Sequence, residues 1–191
     1  MAPYRLKTST MVSIINNWKI IAEKYHGRFR NILATSPAFI DPINTAIRRF
    51  ELHIPMYGEN LIFTTSENHY FKLEHRFKKP TNFNIEIYPE DFFEKVSKAF
   101  GMQEIEVGNK AFDDRFIIKS SNPEITIQLL DKKVQEYMIT SNFYTFNLST
   151  ENNEAKLLIM PYINEENKEE LERFIVFSGY LIKQILELNK N

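Results

Sequence analysis

The chain contains no cysteine, and this absence removes several kinds of chemistry. A protein without thiols forms no disulfide, holds no metal through thiolate ligands and uses no cysteine as a nucleophile. Glycine is also rare, and the five glycines are scattered along the sequence, at positions 27, 58, 101, 108 and 179. This scatter excludes a glycine-rich phosphate-binding loop, and the G-x-S-x-G motif of serine hydrolases is absent as well.

Long apolar runs are missing too, since no stretch approaches the roughly 20 residues that span a bilayer. The first ten residues contain Arg5 and Lys7 but no hydrophobic segment of the kind found in a signal peptide. We therefore expect a cytoplasmic protein without a transmembrane segment. The 191 residues are 43% apolar, which is enough for one hydrophobic core. The prediction is a single domain over residues 1–191, within which 1–100 (a helix plus a β-meander) and 101–191 (ββααββα) can form two halves of that core.

Hydrophobic periodicity predicts alternating helical and extended segments. An amphipathic helix is expected over residues 11–25, capped by Ser9 or Thr10. Short turn-like breaks between the following strands predict antiparallel hairpins. The later elements are strands near 28–33, 50–54, 71–77 and 83–87, a helix over 89–100, strands at 103–107 and 112–119, helices at 123–130 and 132–140, strands at 143–149 and 154–161, and a helix over 165–188. The expected class is α+β, a largely antiparallel sheet with helices packed on one face and a long C-terminal helix.

Residues 108–138 contain the clearest sequence signals for a strand that is followed by a helix. Phe112, Phe116 and Ile118 alternate like the buried face of a strand, and Asn122-Pro123-Glu124 suits the start of a helix. With the leucine pair at 129–130, this run resembles a pattern in a family of uncharacterised bacterial proteins, F-D-x-x-F-x-V followed by P-E and L-L. The resemblance implies a bacterial protein of unknown function. It indicates a fold but no mechanism.

Candidate metal ligands are sparse. His69 and His75 lie on one predicted strand but about 20 Å apart, too far to share an ion. His75 falls in the apolar register and is predicted to be a core histidine. We therefore expect neither a metal nor another cofactor. Asp113 is expected to bond to backbone amides of the turn at 108–111, and Asp114 to be solvated or paired with Arg115 or a lysine.

Three functional hypotheses remain open. The leading one is a non-enzymatic interaction or ligand-binding domain that forms a homodimer. The second is a hydrolase or transferase, with a catalytic site that gathers Asp113, Asp114, His53 and Arg76 across the sheet. A deep pocket holding two of these side chains would favour the second hypothesis.

The third hypothesis is attachment to an anionic membrane or to nucleic acid. Residues 1–50 contain eight basic and two acidic side chains, and Arg28, Arg30, Arg48 and Arg49 are the candidate anion-binding residues. Nucleic acid is disfavoured, because most aromatic residues of the meander fall in the buried register. Those aromatic residues are Phe63, Tyr70, Phe71, Phe83 and Tyr88.

The predicted dimer interface lies on the C-terminal helix. Val176, Phe177 and Tyr180 extend its apolar surface beyond one stripe, and soluble proteins rarely leave such a surface in water. Either the first helix, through Ile14, Trp18 and Ile21, or the same helix of a second subunit is expected to cover it; the second is favoured.

Overall fold

A computed structural model describes residues 8–35, 46–66, 69–90 and 102–190 of the chain. Within these ranges, nine strands form one sheet in the order β1-β2-β3-β4-β9-β8-β5-β7-β6, and all adjacent strands are antiparallel. The α+β prediction is confirmed. The elements are α1 (Thr8–Lys24), β1 (Arg28–Thr35), β2 (Ala46–Met56), β3 (Glu59–Ser66), β4 (His69–Arg76), β5 (Ile85–Pro89), β6 (Gln103–Ile105), α2 (Lys110–Asp113), β7 (Phe116–Ser120), α3 (Pro123–Leu129), α4 (Lys132–Thr140), β8 (Asn142–Glu151), β9 (Glu154–Tyr162) and α5 (Lys168–Leu188).

Two hairpins have tight turns whose backbone follows from their residues. Tyr57 and Gly58 join β2 to β3, and Asn152 and Asn153 join β8 to β9; all four residues have positive φ. Two-residue loops with positive φ at both central positions match the right-handed twist of the flanking strands, and glycine and asparagine tolerate this conformation best. These turns fix the register of β2–β3 and β8–β9.

The predicted hairpin between β4 and β5 is wrong. β4 pairs with β9, and β5 lies two strands further along the sheet, between β8 and β7. The connecting residues cross the ends of β9 and β8: Phe77 N donates to Ala155 O, and the hydroxyls of Thr81 and Thr150 lie 2.8 Å apart. Composition marks 78–81 as a break but does not specify which strand pairs next. Residues 91–100 of the helix predicted for 89–100 lie outside the described ranges, and Pro89 itself ends β5.

One face of the sheet carries the hydrophobic core and all five described helices. Alternate strand residues such as Phe63, Leu73 and Ile159 face each other in register and are fully buried. Phe174 of α5 lies 5.9 Å from Phe63, and Trp18 of α1 lies 5.8 Å from Phe71, between ring centroids. Burial of such aromatic side chains is the largest favourable contribution to folding of a sheet of this kind.

Residues 110–120 depart from the predicted strand. A helical turn forms first, because Asn109 O accepts from both Phe112 N and Asp113 N, and the strand begins only at Phe116. The predicted burial is nevertheless correct. Phe112, Phe116 and Ile118 are all buried in the core, and the rings of Phe112 and Phe116 lie 4.9 Å apart.

Side-chain caps define the starts of the later helices. Asn122 accepts from Ile125 N at the start of α3, as predicted, and Asp131 accepts from Val134 N at the start of α4. Asn167 rather than Asn164 caps α5, so this helix begins three residues later than expected. The predicted caps of α1, Ser9 and Thr10, are wrong because both residues lie inside that helix.

Candidate functional site

The face of the sheet opposite the described helices, called here the open face, is mostly polar and internally paired. Its residues alternate with the core residues along each strand. Glu74 of β4 shows the pattern: its carboxylate lies 2.9 Å from Lys72 Nζ and 2.8 Å from Lys156 Nζ. These two cations lower the pKa of Glu74 to about 2. Such neutralised pairs leave little of this region free for a ligand.

One area of the open face carries exposed aromatic side chains instead of paired charges. Tyr70 of β4, Tyr144 of β8 and Tyr162 of β9 form a cluster, called here the tyrosine patch. The ring centroids are 5.5 Å apart for Tyr70 and Tyr144 and 6.0 Å apart for Tyr144 and Tyr162. Tyr70 is 66% exposed and Tyr162 is 59% exposed. Desolvation, and then the neighbouring Tyr70 and Tyr162, raise the pKa of Tyr144, so its hydroxyl stays protonated at neutral pH. The patch is therefore an aromatic surface in contact with water.

A concavity of about 530 Å³, called here the tyrosine pocket, adjoins the patch. A register shift in β8 between Phe143 and Thr145 places Tyr144 on the open face beside this concavity. The pocket is lined by Pro89, Glu90, Asp114, Arg115, Asn142, Phe143, Tyr144 and Tyr162. Its floor therefore combines apolar ring surface with a few polar groups, which is typical of ligand sites.

The polar groups of the tyrosine pocket differ in their availability. Arg115 donates to Ile139 O and to Asn142 Oδ1, so its guanidinium is held by the protein. Asp114 accepts two 2.8 Å hydrogen bonds from Lys110 Nζ. The exposed Glu90 has no side-chain hydrogen bond or ion pair with any described residue. Glu90 is therefore the carboxylate in this pocket that is available to a cation.

A second concavity, called here the basic pocket, lies at the turn from α1 into β1. Its volume is about 340 Å³, and it is lined by His26, Gly27, Arg28, Arg30, His53, Pro55 and Asn60. The lining contains two guanidinium and two imidazole groups and no carboxylate. This composition gives the pocket a positive potential.

Glu51 lies beside the basic pocket and is surrounded by donors. Its carboxylate lies 3.2 Å from Arg49 Nε, 3.7 Å from an Arg30 nitrogen and 3.1 Å from His53 Nε2. His53 Nδ1 lies 3.3 Å from the amide nitrogen of Asn60. In this geometry, His53 Nε2 can donate to Glu51 while Nδ1 accepts from Asn60. One carboxylate thus balances part of the positive charge of two arginines.

The residues of the predicted hydrolase or transferase site do not come together. His53 lies on β2 and in the basic pocket, whereas Asp114 precedes β7 and lines the tyrosine pocket. β2 and β7 are six strand spacings apart, about 29 Å. Asp113 Oδ1 accepts from Val107 N, one residue before the predicted turn, and Arg76 pairs with Glu154 at 2.9 Å. Asp114 pairs with a lysine, as expected.

Three of the four candidate anion-binding arginines share the open face. In the register of β1 and β2, Arg28 faces His53 and Arg30 faces Glu51. Arg49 precedes Glu51 by two positions on β2 and so lies on the same face. Arg48 is the exception, because it alternates with Arg49 and shares the face of the buried Phe50. The expected cluster is therefore reduced to three arginines.

His75 is a core histidine, as predicted. Its side chain is 2% exposed, Nδ1 lies 3.3 Å from Asn60 O, and Nε2 lies 3.5 Å from Glu59. Desolvation lowers the pKa of His75, which keeps the ring neutral. Across the described ranges, no three histidine or acidic side chains are placed to bind a metal ion.

Within the chain, the α3–α4 segment rather than α1 contacts the apolar surface of the C-terminal helix, and a dimer at this surface stays a prediction. The ring of Phe177 stacks on Tyr137 of α4 with centroids 4.0 Å apart, and it is 4% exposed. Tyr180 donates to Asp131, the cap of α4, and Lys133 Nζ lies 4.0 Å from its ring centroid. Val176 is 51% exposed. The α3–α4 segment of the same chain thus covers most of the proposed interface.

The sequence analysis did not identify Tyr144, Tyr162 and Glu90 of the tyrosine pocket, or His26 of the basic pocket, as candidate site residues. Tyr70 was placed among aromatic residues of the meander that were expected to be buried, and the other four are buried. Strand alternation was the available signal: Tyr70 precedes the buried Phe71, and Tyr162 follows the buried Pro161, so both fall on the opposite face.

Comparison with known proteins gives a fold and no family. No protein-family model matches the chain, and no curated protein sequence matches it. Among solved structures, the chain is similar to the mycobacterial trehalose monomycolate transport factor A, TtfA, with a TM-score of 0.53 and 12% sequence identity over 91% of this chain and 96% of that one. At this identity the similarity shows a shared fold.

None of the described helices has the length and apolar character required to cross a bilayer.

Proposed function

We propose that the chain is a non-enzymatic interaction domain that binds a partner protein through the tyrosine patch and the tyrosine pocket. The observation that carries the proposal is the cluster in which Tyr144 contacts both Tyr70 and Tyr162, which are exposed, beside a concavity of about 530 Å³. Tyrosine is enriched at the energetically important positions of protein interfaces, because it buries a large rigid ring and retains a polar tip.

The chemistry of the pocket selects a cationic side chain as its occupant. Tyr144 and Tyr162 present aromatic rings, to which an arginine or lysine is attracted by about 0.5–2 kcal/mol. Glu90 lies in the same lining with no ion pair to any described residue. A guanidinium or ammonium that stacks on a ring of the patch and contacts Glu90 satisfies both features. We therefore propose that the partner presents a short segment with an exposed arginine or lysine.

A catalytic role has less support. Asp114 and His53, two of the residues proposed for catalysis, lie in two pockets at separate positions of the sheet, and Asp113 lines neither pocket. The transport factor with the same fold supports a binding role rather than a catalytic one. Homodimerisation and a cytoplasmic location remain predictions, and α4 now covers the surface that motivated the dimer.

The proposal is tested by NMR titration of the full chain with four probe peptides. Each is a seven-residue peptide of glycine, serine and proline that carries arginine, lysine, alanine or glutamate at its centre. We expect the arginine and lysine peptides to shift the amide signals of Tyr144, Tyr162 and Glu90 in a saturable way. The alanine and glutamate peptides should bind at least fivefold more weakly.

A matched pair of variants separates the patch from exposed tyrosines in general. Tyr162→Ala should reduce affinity for the arginine peptide about tenfold, whereas Tyr57→Ala, which removes a 58% exposed tyrosine in the β2–β3 turn, should leave it unchanged. Equal binding of the glutamate peptide would overturn the cationic assignment. Equal losses in both variants would show that the patch has no special role.

A further inference from the structure

We propose that the basic pocket is a second binding site, for a ligand that carries a phosphate monoester. It lies on β1 and β2, two strand spacings from β4 and four from β8, the strands that carry Tyr70 and Tyr144 of the tyrosine patch. The two sites share no lining residue, so each proposal stands or fails by itself.

Uncompensated positive charge is the first argument. The guanidinium of Arg28 is exposed and makes no hydrogen bond or ion pair with any residue in the described part of the chain. Arg30 is 53% exposed, and its contact with Glu51 is long, at 3.7 Å. His26 is exposed and also lacks a described side-chain partner. Two arginines and an imidazole therefore face one concavity, and some of their hydrogen-bond donors have no acceptor among the described residues.

The backbone holds this concavity in a fixed shape. His26 has a φ of 53°, and Gly27 then presses against β2 so closely that a Cβ at this position would lie 2.3 Å from His53 O. Only glycine fits this approach, which anchors the α1–β1 turn against the strand that carries His53. The pocket is thus built before a ligand arrives, and this lowers the entropic cost of binding.

The donor set suits a phosphate monoester better than a carboxylate. Guanidinium groups bind phosphate through two parallel N–H bonds, and a monoester carries three oxygens and nearly two negative charges at neutral pH. Arg28 and Arg30 lie two residues apart on one strand face, so both guanidinium groups can contact the oxygens of one phosphate. The volume of about 340 Å³ accommodates that group together with a small attached moiety.

The rest of the open face disfavours an extended polyanion. Acidic residues alternate with basic ones across the sheet: Glu51 lies between Arg30 and Arg49, Glu74 contacts two lysines, and Glu86 faces Lys119 in register. A continuous positive track of the kind that follows a nucleic-acid backbone is therefore absent from the described part of the face. The excess charge is concentrated in one pocket, which fits one phosphate.

The test uses NMR titration of the full chain with phenyl phosphate, and with benzoate as a singly charged control. We expect phenyl phosphate to shift the amide signals of Arg28, Arg30 and His53 in a saturable manner, and benzoate to bind at least tenfold more weakly. Arg28→Ala combined with Arg30→Ala should reduce affinity for phenyl phosphate at least tenfold. Arg76→Ala removes an exposed arginine of the same sheet outside the pocket and should leave that affinity unchanged.

A second arm distinguishes a soluble ligand from a lipid headgroup. Phosphatidylcholine vesicles are prepared with 20% phosphatidic acid, a phosphate monoester, or with 20% phosphatidylglycerol, a diester. Saturable binding of phenyl phosphate supports a soluble ligand, and binding only to phosphatidic acid, lost in the double variant, supports a lipid phosphate. The proposal is overturned if neither probe binds, if both vesicle types bind equally, or if Arg76→Ala weakens binding as much as the double variant does.

Discussion

Glu165 accepts a hydrogen bond from Thr65, with 2.9 Å between Oγ1 and Oε1, and its other carboxylate oxygen is buried without a partner among the described residues. Thr65 belongs to β3, whereas Glu165 lies in the connection from β9 to α5, so this bond ties the connection to the core side of the sheet. Burial raises the pKa of Glu165 to about 7, because a charged carboxylate is poorly solvated there, and the bond from Thr65 offsets only part of this cost.

We predict that Glu165 makes the protein less stable as pH rises. The folded-state pKa is raised above the unfolded value of 4.5, so the stabilising contribution is fully present below pH 4.5 and is lost as pH rises to about 7. The expected loss is about 3 kcal/mol. Urea unfolding of the wild type and of Glu165→Gln between pH 4 and pH 8 measures it. A stability difference between the two proteins that stays constant with pH would contradict the prediction.

Phe116 tests the packing of the segment that carries the sequence resemblance. Phe116→Ala should lower the free energy of unfolding by about 3–5 kcal/mol, because it empties a buried site beside Phe112. Ile117→Ala, on the open face of the same strand, is the control and should cost less. A loss below about 1 kcal/mol in urea unfolding of Phe116→Ala would show that this strand is misplaced.

Gly27 tests the close contact between the α1–β1 turn and β2. Gly27→Ala should destabilise the protein by about 1–3 kcal/mol, since the added methyl group meets the backbone oxygen of His53. Asn31→Ala, at an exposed position of β1, should change stability little. Thermal unfolding followed by circular dichroism compares the two variants. Equal midpoints for Gly27→Ala and wild type would mean that the turn stands further from β2.

The C-terminal helix provides a test of the homodimer. Because Phe177 stacks on Tyr137 within the chain, Phe177→Ala should cost about 3–5 kcal/mol of folding stability. Val176→Glu changes only an exposed position and should alter neither stability nor the sedimentation coefficient. Sedimentation velocity of wild type and Val176→Glu gives the answer: a dimer that dissociates in the variant would restore α5 as an interface.

Local patterns account for much of the fold. Signals within a few residues of each other predict the cap of α3, the antiparallel hairpin of β2 and β3, and the burial of Phe112, Phe116 and Ile118. The position of β5 does not, because strand order depends on contacts between residues far apart in sequence, such as Thr81 with Thr150. The covering of Phe177 by Tyr137 was missed for the same reason.

The candidate sites were less predictable than the fold. The tyrosine patch joins residues of three strands that become neighbours only when β9 inserts between β4 and β8. Local charge identified Arg28 and Arg30 of the basic pocket. It also grouped Arg48 with them, although the register places Arg48 on the opposite face of the sheet, because charge density takes no account of strand alternation. Composition locates charged segments, whereas the register decides which side chains share a face.

The most direct test of the interaction proposal is a double-mutant cycle between Glu90 and the cation of the probe peptide. Affinities are measured by NMR titration for wild type and Glu90→Gln, each with the arginine peptide and with one that carries neutral citrulline instead. We predict that Glu90→Gln weakens binding of the arginine peptide at least fivefold and leaves the citrulline peptide unaffected. Equal effects of Glu90→Gln on both peptides, or no binding of the arginine peptide to wild type, would contradict the proposed function.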